Sequence, residues 1–422
     1  MKNIDNTSHQ VTETLSKPVT VDTAQHMLAG RLPVSLFAPY LITAVALAMA
    51  YGSSFLLADT LRAAGYAAST AGSIVSVGTV ATLVGSLFAG RLAERTGILP
   101  LLATSASIMA AAMACFAMIG TGGLPLAYAG GLLLGLGWAI FYMLAPIQLI
   151  HCLKPSARLE ALTHLSGSQM LGIGVSAPLG RVIADHFGGP SNTYAFYAGF
   201  CALAAAFSLV IRRRMAVQPQ LPMRAVALSV PATLSILRAK TVAPVIMMGI
   251  AACMFAGLST FQSLYADSRG LTPDIFFLTF TVITVALRFS VAPMIGKLAL
   301  GPLALALFVV TLLGLTLLVA NAGSSILYIL STVLFAAGYG LTYSTLNAMV
   351  VNLAGERGLS VPVASQVFTL GYFVGLFGFP YFAGSLIAAD GIDTALLVMV
   401  GLVTANIAIA GWMLHWTRTE IA

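Results

Sequence analysis

One charged side chain lies deep within an apolar stretch of the sequence, and it offers the clearest chemistry in the chain. Arg288 stands between Leu287 and Phe289 inside a run of mostly apolar residues. If this run crosses a membrane, the charge costs at least about 2.5 kcal/mol, so the guanidinium is not expected to face lipid. Three interpretations remain open. Arg288 binds an anionic group of a ligand, pairs with carbonyls or polar side chains of the protein, or reaches the membrane surface near Gly296.

The carboxylates are placed differently from this arginine. All 13 Asp and Glu residues fall in the tails, in loops or at the ends of apolar runs. Proton-coupled carriers usually hold an acid at mid-membrane, so any coupling proton must use Asp59, Glu94 or Asp274, nearer the surfaces. No metal-ligand cluster and no acid–base or Ser–His pair occurs at membrane depth. We therefore expect no metal, no cofactor and no enzyme activity, and we interpret the 4 cysteines as packing residues.

The composition indicates a membrane protein. The chain has 422 residues, of which 59% are hydrophobic and 8% charged, with a mean hydropathy of +0.96. A soluble domain is about 25% charged, and disordered chains are poor in apolar residues, so both classes are excluded. The net charge of +7 forms no basic patch with interleaved aromatic residues, which argues against nucleic-acid binding.

Twelve apolar runs, each long enough for a transmembrane helix, follow one another along the chain. A helical span needs about 20 apolar residues, whereas β-barrel strands would be shorter and alternate in polarity. The runs, called spans 1 to 12, cover residues 34–58, 68–93, 98–120, 124–151, 163–187, 193–212, 242–266, 274–298, 301–321, 325–353, 360–388 and 393–416. We predict an all-α membrane protein with twelve transmembrane helices in two pseudo-symmetric six-helix bundles.

Positive charge predicts how the spans cross the membrane. With the N-terminal tail in the cytoplasm, 16 of the 20 Lys and Arg residues fall on the cytoplasmic side and 3 on the opposite side, with Arg288 inside a span. This asymmetry predicts that both termini are cytoplasmic. The cytoplasmic surface is called the predicted inner face below, and the opposite surface is called the predicted outer face.

The chain divides into two halves joined by a basic segment. The predicted units are a cytoplasmic tail at 1–33, an N-terminal half at 34–212, a basic cytoplasmic linker at 213–241, a C-terminal half at 242–416 and a cytoplasmic tail at 417–422. Residues 225–237 of the linker form either an amphipathic surface segment or an ordinary loop.

The two halves repeat each other at a nearly constant spacing. The sequence Gly-Arg-Leu-Ala at 90–93 matches Gly-Lys-Leu-Ala at 296–299, and Pro178 of span 5 matches Pro380 of span 11. Tyr142 with the Gly-Trp pair before it in span 4 matches Tyr343 with a Gly-Tyr pair in span 10. Three matches at offsets of 206, 202 and 201 residues predict duplicated halves.

The loop between spans 2 and 3 carries a family resemblance. Residues 90–97, Gly-Arg-Leu-Ala-Glu-Arg-Thr-Gly, resemble the loop motif of the major facilitator superfamily, with Glu94 where the family usually has Asp. The second copy, at Gly296, has Leu300 in place of the acid. The resemblance extends over nearly the whole chain. It implies the major facilitator fold, in which two halves rock around a site at the membrane midplane.

The motif is assigned a gating role in the conformational change. We expect Glu94 to latch the predicted inner face while the cavity faces outward, by binding the start of span 11 near Ser360, or Arg357, or Arg158. The alternative is a solvated loop charge. The complete set of residues assigned to gating is Gly90, Arg91, Glu94, Arg95, Gly97, Arg158, Pro178, Gly296 and Arg357.

Span 5 is similar to the glycine-proline motif of antiporters in this superfamily. Pro178 follows Ala177, whereas the family has Gly before the proline. The pattern predicts a kinkable helix with a smooth packing face, and smooth packing without any role in export is the alternative.

The resemblance also implies where a substrate binds. In this fold the cavity is lined mainly by spans 1, 4, 7 and 10, with help from spans 5, 8 and 11. Tyrosine and amide side chains with one positive charge suit an amphiphilic, hydrogen-bonding solute. The candidate substrate-binding residues are Tyr40, Tyr51, Trp138, Tyr142, Gln169, Gln262, Arg288, Tyr339, Tyr343 and Asn347.

These features together predict a transporter. We expect a monomeric alternating-access secondary transporter in the cytoplasmic (inner) membrane of a bacterium. It exports a small amphiphilic metabolite or drug, with a proton as a candidate coupling ion in an antiport mechanism. The alternative is uptake of a sugar or small organic anion by the same fold. The predicted direction depends on the likeness to exporters of the superfamily.

Overall fold

A computed structural model describes the backbone of residues 34–153, 155–215, 230–291, 294 and 298–421. The predicted tail at 1–33 and residues 216–229 of the linker lie outside the described residues, as does Gly296. Arg158 is described as part of a helix, but its side chain is outside the described part of the chain.

Every predicted span contains a helix in the structure, although the helix of span 8 ends at Ser290, short of the predicted end at 298. Span 1 is interrupted, with helices Val34–Gly52 and Leu57–Ala63 on either side of a 3-10 turn at Ser53–Leu56. Span 7 is also interrupted, because the helices Val242–Thr260 and Gln262–Ser268 meet at Phe261. The other spans are Thr70–Thr96, Ile98–Ala117, Ile119–Cys152, Pro155–Phe187, Pro190–Met215, Pro273–Ser290, Leu300–Ala320, Ser325–Glu356, Val361–Asp390 and Ile392–Ile421.

Proline and glycine set several of these helix boundaries. Spans 5, 6 and 8 begin with Pro155, Pro190 and Pro273, which lack the N–H that a first helical residue cannot use. Gly97 separates spans 2 and 3 with φ +83° and ψ 161°, a backbone conformation that L side chains rarely adopt. The last glycine of the loop motif therefore has a structural reason to be glycine.

Eleven of the twelve spans contain a described helix that is long and apolar enough to cross a membrane, judged by length and composition. The exception is span 5, Pro155–Phe187, which has 33 residues but carries His164, Gln169 and Arg181 within its length. At about 1.5 Å per residue it is long enough to cross. Gln169 is 5% exposed and Arg181 is 21% exposed, so these polar side chains face other helices of the protein.

The packing of the helices repeats from one half to the other. In the N-terminal half, span 1 packs against spans 5 and 6, span 4 against spans 2 and 3, and span 3 against span 6. In the C-terminal half, span 7 packs against spans 11 and 12, span 10 against spans 8 and 9, and span 9 against span 12. Each contact recurs six spans later, so the halves are related by pseudo-symmetry, as the sequence repeat predicts.

Two pairs of long helices hold the halves together: span 2 with span 11, and span 5 with span 8. At Gly72 of span 2, a Cβ atom would overlap the carbonyl oxygen of Pro380 in span 11. A Cβ atom at Gly174 of span 5 would likewise overlap the side chain of Thr281 in span 8. Small residues at these points allow the backbones to approach closely, which is how helices associate in lipid.

The linker contains one described helix, Val230–Arg238. Ile236 is fully buried in the protein, whereas Val230 is 82% exposed. A helix with one buried residue favours the amphipathic segment over the ordinary loop for this part of the linker. Residues 225–229 of the predicted segment lie outside the described residues.

Candidate functional site

Arg288 lies where the two halves meet. It is in the last turn of the span 8 helix and is only 8% exposed, so its side chain is buried in the protein and does not face lipid. Its Nη1 donates a hydrogen bond to the hydroxyl of Ser166 in span 5. The guanidinium therefore bridges the C-terminal and N-terminal halves through a neutral partner.

This arginine is incompletely satisfied. Its buried Nε has no hydrogen-bond partner, and no ion pair joins it to a carboxylate among the described residues. A guanidinium has five N–H donors, and one hydroxyl occupies only part of them. A buried charge without a counter-charge is costly unless a partner arrives, so the site is suited to an anion.

Tyrosines surround the guanidinium. The tyrosines near Arg288 come from spans 4, 10 and 11 and are Tyr142, Tyr339, Tyr343 and Tyr372. Tyr142 of the N-terminal half stacks on Tyr372 with ring centroids 5.6 Å apart and meets Tyr343 edge-on at 6.1 Å. Hydroxyl groups and ring faces are thus presented to the same region from both halves. A cluster of tyrosines can contact both the apolar and the polar parts of one solute.

A pair of stacked rings repeats in the two halves. Trp138 of span 4 stacks on Tyr51 of span 1, with ring centroids 4.5 Å apart and an interplanar angle of 17°. Tyr339 of span 10 stacks on Phe255 of span 7, at 4.9 Å and 7°. The repeat therefore places equivalent aromatic pairs on both sides of the central region. The indole Nε1 of Trp138 is buried without a hydrogen-bond partner.

The remaining candidate residues are dispersed. Tyr40 is buried, and its hydroxyl donates to the carbonyl oxygen of Ala145 at 2.7 Å, which ties span 1 to span 4. Gln262 donates to the hydroxyl of Tyr328 near the predicted outer face. The hydroxyl of Tyr40 and the Nε2 of Gln262 are therefore engaged outside the tyrosine cluster, whereas the buried Oε1 of Gln262 has no hydrogen-bond partner.

The two amide candidates nearer the centre have different surroundings. Gln169 lies one turn from Ser166 in span 5, is 5% exposed, and its Nε2 has no hydrogen-bond partner. Asn347 lies one turn from Tyr343 in span 10, is half-buried, and its Oδ1 accepts a hydrogen bond of 3.3 Å from Ser365. Of the two, Gln169 has the unused donor.

A charge network closes the predicted outer face. Arg181 of span 5 forms ion pairs with Asp59 of span 1, at 3.4 Å, and with Asp274 of span 8. Ser263 of span 7 accepts a hydrogen bond from Arg181 at 2.9 Å and donates one to Asp59 at 2.8 Å. These side chains join four spans and both halves. A second ion pair between the halves, Arg62–Asp267 at 2.6 Å, is more exposed.

This network and the Ser166 contact were not predicted from the sequence. Charges at the ends of spans resemble ordinary solvated residues, and a helical serine carries no sign of its partner. One signal was available, because Asp59, Arg181, Asp267 and Asp274 all lie at the same predicted face, on spans that the resemblance places around the cavity.

The backbone also links the halves near the predicted outer face. The Ser76 hydroxyl of span 2 donates to the carbonyl oxygen of Gly378 at 3.2 Å and accepts from the N–H of Tyr381 at 2.8 Å. Pro380 lies between these two positions in span 11 and disturbs the regular hydrogen bonding of the helix. Ser76 therefore holds the two halves together at an irregular point of span 11.

The loop-motif residues are exposed at the opposite face. Arg91, Glu94 and Arg95 are exposed, whereas Gly90 is buried. Glu94 forms no ion pair with any described residue, Arg357 included. Among the described residues, the ion pair of the predicted latch is therefore not present in this structure, in which contacts between the halves close the predicted outer face. The side chain of Arg158 and the whole of Gly296 lie outside the described residues.

The proline assigned to gating lies inside span 5. Pro178 is within the helix Pro155–Phe187, between Gly174, which packs against span 8, and Gly180, which packs against span 1 and span 6 residues. These two glycines of span 5 thus face neighbouring helices, as expected for a smooth packing face.

Comparison with known proteins agrees with this architecture. The model of the Major Facilitator Superfamily matches residues 40–376, which is well over half of the chain. A comparison with curated proteins finds no match.

Several solved structures share the fold at low sequence identity. An auto-inhibited peptide transporter of the POT family is 12% identical, with a TM-score of 0.68 over 91% of this chain and 97% of that one. The xylose transporter XylE from E. coli, in a partially occluded inward-open conformation, is 12% identical, with a TM-score of 0.67 over 89% and 97%. FucP in the outward conformation is 15% identical, with a TM-score of 0.62 over 89% and 98%.

At these identities the likeness to solved structures shows the fold alone. The match to the family model over most of the chain shows the family. Twelve helices in two pseudo-symmetric halves, with a buried arginine and a tyrosine cluster between them, have the arrangement expected of a carrier with a midplane site. The chain belongs to the major facilitator superfamily, whose members are membrane transporters and not enzymes.

Proposed function

We propose that this transporter carries a small amphiphilic organic molecule with an anionic group, and that it exports this molecule from the cytoplasm. The observation that carries the proposal is Arg288, which is buried between the halves with no carboxylate partner among the described residues. The anion of the substrate supplies the missing counter-charge. The tyrosines around Arg288 contact the rest of the solute.

The geometry favours an amphiphile over a strongly hydrated ion. Tyr142, Tyr343 and Tyr372 pack against one another through their rings in the neighbourhood of Arg288. An apolar ring or chain can replace contacts that these tyrosines make with one another. A bare inorganic anion would use the guanidinium but leave the aromatic walls without a partner.

A matched pair of solutes tests this proposal. Purified protein in proteoliposomes is given a radiolabelled aromatic carboxylic acid or the corresponding neutral amide. We expect saturable flux of the acid and at least tenfold slower flux of the amide, because only the acid neutralises Arg288. Equal carrier-dependent flux of the two solutes would contradict an anion site.

Coupling and direction are separate parts of the proposal. An anionic substrate carries its own charge, so flux by a uniporter responds to a potassium diffusion potential, whereas electroneutral exchange does not. Where a proton is coupled by antiport, we place its exchange at Asp59 or Asp274, the carboxylates that bind Arg181 between the halves. Flux driven by an imposed pH gradient, compared in wild type and Asp274→Asn, distinguishes these modes.

Export is supported by the likeness of span 5 to the antiporter motif, and uptake of a sugar or organic anion remains the rival. A deletion strain separates them, because sensitivity to a compound points to export, whereas failure to grow on a nutrient points to uptake. We also propose a monomer in a bacterial cytoplasmic membrane with both termini in the cytoplasm. The uneven distribution of Lys and Arg supports this orientation. Reporter fusions at both termini test it.

A further inference from the structure

A cavity of about 630 Å³ lies away from the tyrosine cluster, within the C-terminal half. It is bounded by the end of the linker helix, the starts of spans 7 and 9, and the ends of spans 10 and 12. All of these segment ends belong to the predicted inner face. A volume of this size is within the usual range of ligand sites. The position at helix ends corresponds to the depth of lipid headgroups rather than to the midplane.

The polar side of this inner-face cavity is positively charged. Arg238, Lys240 and Arg357 contribute three cations, and Glu356 contributes one carboxylate. Leu300 and Gly301, in the first turn of span 9, also line the cavity, so the positive end of that helix dipole adds to the field. Among the described lining residues, positive charge exceeds negative charge, which favours an anionic occupant.

The other side of the cavity is apolar. Its wall includes Met349, Leu353 and Trp412. Trp412 is 56% exposed near the end of span 12, where an indole is typically found at the membrane–water interface. A soluble anion would gain nothing from this wall. A molecule with an anionic head and hydrocarbon chains would use both sides.

We infer that this inner-face cavity binds the headgroup of an acidic phospholipid, whose acyl chains lie along the apolar wall beside Trp412. The phosphate contacts Arg238, Lys240 and Arg357, and Glu356 provides an acceptor for headgroup hydroxyls. Basic pockets at the ends of transmembrane helices are suited to acidic lipid headgroups. The cavity lies within one half, so this site differs from the proposed substrate site, which needs both halves.

Lipid binding to the full-length protein in detergent tests the inference. Native mass spectrometry and thermal unfolding are measured with phosphatidylglycerol, with phosphatidylcholine and with inorganic phosphate. We expect phosphatidylglycerol to bind at least tenfold more tightly than phosphatidylcholine and to raise the unfolding temperature. Equal binding of the two lipids would show an ordinary lipid annulus, and equal protection by inorganic phosphate would show a site for soluble anions. Either result overturns the inference.

Paired charge removals locate the site. The double variant Arg238→Gln with Lys240→Gln should weaken phosphatidylglycerol binding about thirtyfold, because each cation near an anionic headgroup contributes roughly fivefold. The control is Arg213→Gln with Arg214→Gln, which removes two exposed cations from the end of span 6 in the other half. The control should change binding less than threefold. Equal losses in the two double variants would contradict the assignment.

A third variant keeps the test decisive if the double variant is unstable. Trp412→Ala leaves every cation in place and removes part of the apolar wall. We expect it to weaken phosphatidylglycerol binding at least threefold without changing any residual binding of inorganic phosphate. Unchanged lipid binding in Trp412→Ala would exclude the proposed position of the acyl chains.

Discussion

Spans 5 and 8 lie side by side, and each presents an arginine to the other. Near the predicted outer face, Arg181 of span 5 pairs with Asp274 of span 8 and with Asp59. Further along the same helix pair, Arg288 of span 8 binds Ser166 of span 5. The two contacts join the same helices, but one arginine has two carboxylates and the other has a hydroxyl.

The difference indicates two roles for similar side chains. Arg181 is 21% exposed and its charge is neutralised within the protein, so its contacts can hold the predicted outer face closed without a ligand. Arg288 is more deeply buried and lacks a counter-charge among the described residues. Neutralised arginines stabilise one conformation, whereas an incompletely neutralised arginine leaves part of its interaction energy for a substrate.

The largest expected effect comes from removing the guanidinium of Arg288. Arg288→Ala should lower kcat/KM for an anionic substrate about a hundredfold, since a hydrogen-bonded charge contributes about 1.5–3 kcal/mol. Arg288→Lys keeps the charge but loses the forked geometry, and should recover only part of the loss. Initial flux rates in proteoliposomes measure both. A folded Arg288→Lys variant that handles every anionic substrate normally would contradict a binding role.

A new carboxylate beside Arg288 would make this contact resemble the one at Arg181. Ser166→Asp should lower kcat/KM for the anionic substrate about thirtyfold, because the introduced carboxylate competes with the substrate for the guanidinium. Ser166→Asn, of the same size but neutral, should stay within about fivefold of wild type. Flux and thermal unfolding are measured together for both variants. Equal activity of the Asp and Asn variants would show that neutralising Arg288 does not matter.

Breaking the Arg181 contacts should release the predicted outer face. Arg181→Gln should raise the population of conformers open at that face about fivefold, because two partly buried ion pairs are lost. Spin labels on Ala67→Cys and Ser268→Cys, which are exposed on opposite halves, report the opening as a longer distance by electron–electron resonance.

The exposed pair Arg62–Asp267 is the matched control for this measurement. Its side chains are 47% and 51% exposed, so solvent screens their attraction. Arg62→Gln should change the open population less than twofold, in line with the small contribution of surface ion pairs. A larger effect from Arg62→Gln than from Arg181→Gln would reverse the assignment of the closing contact.

The smallest effect is expected at the loop motif. Glu94 is exposed and forms no ion pair with a described residue while the predicted outer face is closed. Glu94→Gln should therefore change the transport rate two- to threefold with little change in KM, because the latch is proposed to form only in the outward-facing state. An unchanged rate would favour a solvated loop charge.

The fold could be predicted from the sequence because hydrophobicity along a span is a local signal. Each apolar run became a helix, and Gly97 and the prolines at helix starts marked boundaries. The interruptions at Ser53–Leu56 and Phe261 were not predicted, because no proline or glycine within them signals a break. The predicted latch, substrate and direction stay predictions, since they concern other conformations and bound molecules.

The site was only partly predictable because contacts between distant spans depend on depth and rotation. Arg288 was found because a lone charge in an apolar run is conspicuous. Ser166 was missed because its hydroxyl resembles those of other helical serines, which usually bond to their own backbone. Gln262 was grouped with the centre because its span lines the cavity, whereas its depth places it beside Tyr328.

The hydroxyl of Ser76 has a consequence for how the carrier opens. When spans 2 and 11 move apart, the Ser76 hydroxyl loses both the carbonyl oxygen of Gly378 and the N–H of Tyr381 as partners. A polar group without a partner is costly in an apolar environment, so separation becomes favourable only once water reaches that depth. The entry of water at the predicted outer face and the separation of the two halves are therefore coupled. This coupling disfavours an intermediate that is half-open but contains no water.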